Sequence, residues 1–289
     1  MAFFSPLRYP GGKAKIADFF MSVFEENSLC DGVYIEPYAG GASVGLNLLF
    51  NEYASRIIIN DLDKSIYAFW YSVLNETDNL CKLIFDNNVD IPQWKVQKDI
   101  QRNKENSSLL ELGYSTFFLN RTNRSGIIRA GVIGGIEQSG DWKMDVRFNK
   151  NDLINRIQKI ALYKDRIKLY NLDAVKLLKT LRNTLPENSL MYFDPPYYVK
   201  GKELYMNFFT HEDHSLIYNE IAKSENLKWI VTYDNVEEIT NLYQNYRQLT
   251  YSLNYSAGNA TKGKEVLIYS DNIILPVHNL HGCDEVPVL

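Results

Sequence analysis

Asp194-Pro195-Pro196-Tyr197 stands at the end of a short apolar run, Leu190 to Phe193. Such a run bounded by turn residues reads as a buried strand. Two successive prolines then stop it, because neither offers an N–H to a ladder and each fixes φ near about −65°. The carbonyls of Asp194 and Pro195 lack local partners and, with the Asp194 carboxylate, can line a cleft at the strand's carboxyl end. That cleft accepts hydrogen bonds from an amino group, and Tyr197 or Tyr198 adds a flat face for a planar ring. The chemistry it suits is work on the exocyclic amine of a base. A surface turn could use the same residues, so the tetrapeptide needs support from elsewhere.

Two further segments supply it. Tyr34-Ile35-Glu36-Pro37-Tyr38-Ala39-Gly40-Gly41-Ala42-Ser43-Val44-Gly45 sets glycines between a strand and a helix, where they allow a tight turn and close approach of a ligand. A dinucleotide loop would need Gly-x-Gly-x-x-Gly, which this segment lacks. Pro37 and Tyr38 also stand where a pyrophosphate would need free N–H groups. Asp61 ends the next strand, where an acid can accept from a ribose diol or cap the following helix. Near the N-terminus, Arg8-Tyr9-Pro10-Gly11-Gly12-Lys13 sets a glycine pair beside a lysine.

In this order, the three segments resemble the Dam-like (D12, α class) DNA adenine-N6 methyltransferases, over a span from Leu7 to about Tyr269. The resemblance implies S-adenosyl-L-methionine as methyl donor and N6 of an adenine flipped out of duplex DNA as acceptor. It gives Asp194 and Pro195 the task of holding the amine, and Tyr197 that of stacking on the base. Tyr9, Lys13, Glu36, Pro37, Tyr38, Gly40, Asp61, Asp173 and Asp194 are expected around the cofactor. Tyr9 stands where the family often has Trp, and Asp173 reads equally well as a helix cap. Aspartate at the head of the motif, rather than Asn, favours adenine over a glutamine or RNA substrate. The absence of a Pro-Cys motif argues against cytosine-C5 chemistry.

Asn120-Arg121-Thr122-Asn123-Arg124-Ser125-Gly126-Ile127-Ile128-Arg129-Ala130-Gly131 carries three arginines among glycines and amides. Arginine can read guanine bidentately in the major groove, and Asn can read adenine. The family places target recognition in the comparable Asn-Arg region, and a basic DNA contact at the position of Arg8. Arg8, Asn120, Arg121, Arg124 and Arg129 are therefore expected to bind DNA, Arg124 as base reader and Arg129 on phosphate. Thr122-Asn123-Arg124-Ser125 departs from the aromatic and Asn residues of the GATC-specific members, so GATC is not favoured.

The overall charge of −4 disguises an uneven distribution. Between Asp90 and Tyr170 fifteen lysines and arginines face nine acids, whereas the rest of the chain is acidic. A basic middle in an acidic body suits a polyanion. Double-stranded DNA is the partner this implies, with a cognate restriction endonuclease left open, and a monomer or weak dimer is expected. No apolar run approaches the roughly 20 residues that cross a bilayer, so no membrane partner is expected and the cytoplasm is the expected location. Three scattered cysteines (Cys30, Cys81, Cys283) read as reduced thiols, and four histidines (His211, His214, His278, His281) suggest no metal site. Two rivals stay open at this stage: a methylase of RNA or of a protein amide, and a non-catalytic DNA-binding protein with a relic pocket.

These residues need a frame. Strand, glycine turn and helix over Val33 to Phe50, then a strand over Arg56 to Asp61 and a helix over Lys64 to Leu74, predict a doubly wound Rossmann-like α/β sheet with its ligand at the strands' carboxyl ends. From about Asn79 to Lys159 the pattern becomes helical, with a long polar stretch over Arg121 to Asn149 that is improbable unless functional. Strand signals resume at Ile167–Tyr170, Leu190–Phe193, Trp229–Thr232 and Val266–Tyr269. The expectation is a catalytic domain over 1–78 and 160–289, interrupted by a mainly helical target-recognition domain over 79–159.

Overall fold

A computed structural model of the chain describes residues 4–8, 16–198, 209–224, 226–255 and 261–276. Seven strands form one sheet: β1 Gly32–Glu36, β2 Ala54–Asn60, β3 Ile167–Tyr170, β4 Ser189–Phe193, β5 Lys228–Asp234, β6 Arg247–Tyr255 and β7 Thr261–Tyr269. Their order is β3-β2-β1-β4-β5-β7-β6. The first five run parallel, while β7 is antiparallel to both β5 and β6. All five residues of β1 and of β4 are buried, as two covered faces require.

Alternate side chains enter different layers. Tyr34, Ile57, Ile59, Leu190 and Tyr192 join a core with α1 (Ala17–Glu26), α2 (Ser43–Phe50) and α3 (Lys64–Asn75). Ile35, Ile58, Met191, Phe193 and Val231 join a second core with α8 (Ala174–Leu181), α9 (His211–Ala222) and α10 (Glu237–Leu242). This is the period of two along a strand, read out as two layers of helices.

The middle of the chain is helical: α4 Thr77–Asp86, α5 Ile91–Arg102, α6 Leu109–Thr122 and α7 Lys150–Ala161. Local signals set the starts. Asp90 accepts from Gln93 N at 2.8 Å, and Ser108 with Glu111 closes a reciprocal capping box. The segment 79–159 does not have a core of its own. Phe117 stacks on Phe69 of α3 at 6.0 Å between centroids, and Leu80, Ile84, Phe118 and Ile157 belong to the same apolar cluster as Tyr34 and Ile57. A boundary at 78 and 160 marks a change of element type within a continuous core.

The expected loop over 121–149 begins inside α6 and is compact. Asn123 bridges Val132, and Ile128, Val132, Met144 and Phe148 are buried beneath it. Its polar surface hides a few well-spaced apolar anchors, which explains how so long a connection stays packed. The strand β6 carried no recognised signal, and the antiparallel sense of β7 follows from its hairpin with β6.

Candidate active site

The strand order reverses between β1 and β4, the switch point where open α/β sheets leave a crevice at the carboxyl ends. Into that crevice run the loop after β1, Glu36 to Gly41, and the Asp194-Pro195-Pro196-Tyr197 turn after β4.

The first loop is held from three sides. Gly40 has φ +45°, a left-handed backbone suited to glycine, and Trp70 Nε1 donates to its carbonyl at 2.9 Å. Gly40 N donates to Asp61 Oδ2 at 3.0 Å, joining the ends of β1 and β2. Asn60, 1% exposed, donates to the carbonyls of Pro37 and Leu172 at 2.8 and 2.9 Å and accepts from Leu172 N at 2.9 Å. One buried amide thus ties together the carboxyl ends of β1, β2 and β3.

Glu36 is 5% exposed. Its Oε1 accepts from Gly45 N, in the first turn of α2, and from Tyr34 Oη, each at 3.1 Å. Its Oε2 is buried with no hydrogen-bond partner among the described residues, and so is the Tyr38 hydroxyl. Burial pushes the Glu36 carboxyl up to about 8, opposed by the Gly45 amide and the Tyr34 hydroxyl, with Asp194 adding to the rise. Burial also lifts Asp61 to about 7, with the Asp63 charge in the same direction.

The Asp194 turn is fastened by neighbouring strands. Thr232 Oγ1 on β5 donates to Asp194 Oδ1 at 3.0 Å. Tyr192 Oη lies 2.7 Å from the same Thr232 oxygen, and since that hydroxyl's proton is directed at Asp194, Tyr192 is the donor in this pair. Tyr197 Oη donates to Glu265 Oε1 at 2.8 Å, Tyr251 Oη donates to Glu265 Oε2, and Glu265 is fully buried on β7. Tyr198 N donates to Asp234 Oδ1 at 2.8 Å. Its ring lies 5.2 Å from that of His214, a fully buried histidine whose protonation burial pushes down to about 4.

Several expected site residues are placed differently from the sequence reading. Tyr197 is 3% exposed with its hydroxyl engaged, so here it anchors the turn rather than offering an open stacking face; the antiparallel β7 brings Glu265 to it. Asp173 takes the helix-cap role that the sequence offered beside cofactor binding, accepting from Val175 N and Lys176 N at the start of α8 through Oδ1. Asn120, 1% exposed, spends its amide on the Arg8 N and O and the Gly126 O, at 2.7, 2.6 and 2.8 Å, and presents nothing to a groove. Arg121 is 9% exposed and donates through Nε to Pro6 O at 2.6 Å. Arg124 and Arg129 are exposed, while Arg8 is half-buried. Glu36, Pro37, Tyr38, Gly40, Asp61, Asp194 and Pro195 do come together at the switch point. Tyr9 and Lys13 lie outside the described residues.

Asn60, Thr232 and Glu265 escaped the sequence reading. A polar residue just before Asp61 and an acid inside Lys264-Glu265-Val266-Leu267 were the available signals, but only strand register shows which way each faces. Among the described residues no group of three His, Cys, Asp or Glu side chains could hold a metal ion, and no helix is long and apolar enough to cross a membrane.

A mixed sheet whose parallel strands reverse order at β1 and β4, with an acid following β2 and Asp-Pro-Pro-Tyr following β4, is the framework of an amino-methyltransferase. Residues 9–256 match the D12 class N6 adenine-specific DNA methyltransferases, and the chain belongs to that family. It is 27% identical over 227 residues to the type II methyltransferase M.MjaIII of Methanocaldococcus jannaschii, covering 72% of this chain and 73% of the relative. Among solved structures, the rRNA methyltransferase AviRa of Streptomyces viridochromogenes aligns over 91% of this chain and 87% of its own, at 10% identity and a TM-score of 0.37. A precorrin-6y C5,15-methyltransferase from Geobacter metallireducens aligns over 89% and 88%, at 10% identity and 0.36.

The family's methyl donor is S-adenosyl-L-methionine. The crevice suits it: it offers a carboxylate at the end of β2, a glycine backbone beside it, and two buried polar atoms, Glu36 Oε2 and the Tyr38 hydroxyl, that lack partners among the described residues.

Glu36 gives a pH test of this electrostatic reading. The unfolded chain releases the proton near the ordinary 4.5, the folded chain near 8. Between these values the folded state binds more protons, so the group's contribution is full below 4.5 and is lost as pH rises towards 8. Melting temperature is expected to fall more steeply from pH 5 to 8 in the wild type than in Glu36→Gln, which keeps the acceptor for Gly45 and Tyr34. Parallel pH profiles would show that Glu36 is ionised throughout.

Proposed function

We propose that this DNA methyltransferase modifies N6 of an adenine turned out of the duplex at a specific site, with Asp194 as the residue that holds the amine. The observation that carries the reading is the fixed orientation of the Asp194 carboxylate. Thr232, itself held by the Tyr192 hydroxyl, donates to Oδ1 and so fixes the carboxylate at the carboxyl end of β4, beside the switch point.

An exocyclic adenine amine is a poor nucleophile because its lone pair is delocalised into the ring. Asp194 and the Pro195 carbonyl accept its two N–H bonds, which draws the nitrogen towards tetrahedral geometry and turns its lone pair out of the ring plane. The bound cofactor supplies a sulfonium methyl that is already electrophilic. The protein therefore contributes positioning and electrostatics, and Asp194 need not be a strong base. Asp61 would accept from the ribose diol, and Glu36 Oε2, protonated near neutral pH, with the Tyr38 hydroxyl would offer hydrogen bonds to the methionine end. Pro195, Pro196 and Tyr197 form a rigid, buried rim, since Glu265 and Asp234 hold the end of the turn. An adenine inside a duplex cannot reach such a crevice, so the target must leave the stack. Arg124 and Arg129, exposed on the compact loop, would meet the DNA; Arg124 reads a base and Arg129 a phosphate. The type II naming of the archaeal relative supports a site-specific role paired with a cognate endonuclease.

Expression in cells free of DNA methylation, followed by single-molecule sequencing, should reveal N6-methyladenine in one short motif. Genomic DNA without it, while the protein is soluble and intact, would refute the reading.

The Thr232 contact gives a finer test. Thr232→Val removes the donor to Asp194 and should slow methyl transfer by about 10-fold, the equivalent of one hydrogen bond worth about 1.4 kcal/mol. Cofactor affinity should stay within error. A change confined to cofactor binding would show that Thr232 does not orient Asp194.

A further inference from the structure

Two arginines donate to the backbone of the short segment 5–8, which itself carries Arg8, and a fourth, Arg147, stands on a turn packed against α6. Arg121, in the last turn of α6, donates to Pro6 O at 2.6 Å, and Arg156 of α7 donates through Nη1 to Ser5 O at 3.2 Å. The Arg8 peptide is clamped on both sides by the Asn120 amide. Arg147 closes a short helical turn, Met144–Arg147, that is packed on α6: the next residue, Phe148, lies 5.3 Å from Phe117 and 5.5 Å from Phe118 between ring centroids.

Their charges are poorly compensated. Burial pushes Arg121 down to about 9, and Arg156, Arg8 and Arg147 add to the fall against a single opposing carboxylate, Asp152. That carboxylate is already paired with Arg156, at 2.8 Å. Arg8 is lowered too, by burial first and then by Arg147. The Arg8 Nη1 is buried with no hydrogen-bond partner among the described residues. Buried cations in proteins are paired; among the described residues neither Arg8 nor Arg121 has a carboxylate of its own, and an anion joining them would supply the missing charge. Guanidinium forks match the oxygens of a phosphate, which they can grip bidentately.

We propose that Arg8, Arg121, Arg147 and Arg156 form a pocket for one backbone phosphate of the DNA substrate, separate from the exposed Arg124 and Arg129. The inference rests on DNA as the substrate, not on which base is methylated. Position supports it. Asn120 holds both the Arg8 peptide and the Gly126 carbonyl, and a Cβ at Gly126, which has φ +76°, would lie 2.5 Å from Arg8 O. The loop bearing Arg124 is thereby fastened to the phosphate pocket, so gripping one phosphate would fix where that loop meets the bases. This gives Asn120 and Arg121, set aside above as groove readers, a task in DNA binding after all.

The test uses the full chain and several duplexes of unrelated sequence, with binding followed by fluorescence anisotropy across a range of NaCl concentrations. Arg147→Ala and Arg8→Ala should each weaken all sequences alike, by about 10-fold, and lower the salt slope by about one unit. Arg147→Lys should recover part of the loss, since it keeps the charge but not the fork. Affinity for S-adenosyl-L-methionine and melting temperature serve as controls; Arg147 is exposed, so its variant should fold. Wild-type affinity and slope in both alanine variants would overturn the pocket, as would a loss confined to one DNA sequence. Inorganic phosphate that stabilises the wild type but not Arg147→Ala, with DNA affinity unaltered by the variant, would assign the pocket to a free anion and overturn the DNA assignment. Because binding is read without chemistry, a failure of methyl transfer leaves this outcome separately legible.

Discussion

Replacing Asp194 with alanine is expected to slow methyl transfer by on the order of 10²-fold or more while leaving DNA affinity nearly unchanged. On the proposed mechanism the carboxylate is the acceptor for the amine, and removing a preorganised partner of the reacting group costs several kcal/mol of transition-state stabilisation, roughly 3 or more. The fold should tolerate the change. Asp194 is half-buried, and its bond to Thr232 sits at the end of β4 rather than within a core layer. Single-turnover kinetics with the cofactor saturating isolates the chemical step. A variant with near-wild-type turnover would remove Asp194 from the reaction, and one that loses DNA binding in proportion would make it a structural residue.

Asp61→Ala should raise the dissociation constant for S-adenosyl-L-methionine by on the order of 10²-fold. Hydrogen bonds to a charged group contribute about 1.5–3 kcal/mol, and the variant also frees the Gly40 amide that Asp61 holds. A pH signature accompanies this. Burial lifts the Asp61 carboxyl to about 7. Below that value it is protonated and one of its oxygens no longer accepts freely, so wild-type affinity should strengthen as pH rises from 6 to 8. The alanine variant should lose that dependence. Calorimetric titration at several pH values gives both quantities. Equal affinity in variant and wild type would place the ribose elsewhere.

The sequence was most legible where local chemistry alone decides the outcome. Proline pairs end strands and glycines permit tight turns, so Asp194-Pro195-Pro196-Tyr197 and the Glu36–Gly45 loop could be read together with the parallel strands that carry them. The carboxyl-end crevice followed from the alternation of strand and helix. Less legible was whatever depends on which distant residues meet. Asn120 and Arg121 have the composition of a groove reader, yet α6 turns both inwards, where Asn120 splints Arg8 to Gly126. Tyr197 looked like an open aromatic face until β7, an antiparallel strand paired with β5, brought Glu265 to its hydroxyl. The segment 79–159 looked like a separate module because its element type changes, but Phe69 and Phe117 stack across that boundary. Periodicity reports which face of an element is buried; it does not report against what.

The identity of the methylated atom tests the account most directly. Purified protein, S-adenosyl-L-methionine labelled in the methyl group and mixed-sequence duplex DNA should give label that co-migrates with N6-methyladenine after digestion to nucleosides, with the Asp194→Ala protein giving little. Label on cytosine, or transfer to RNA alone, would contradict the account.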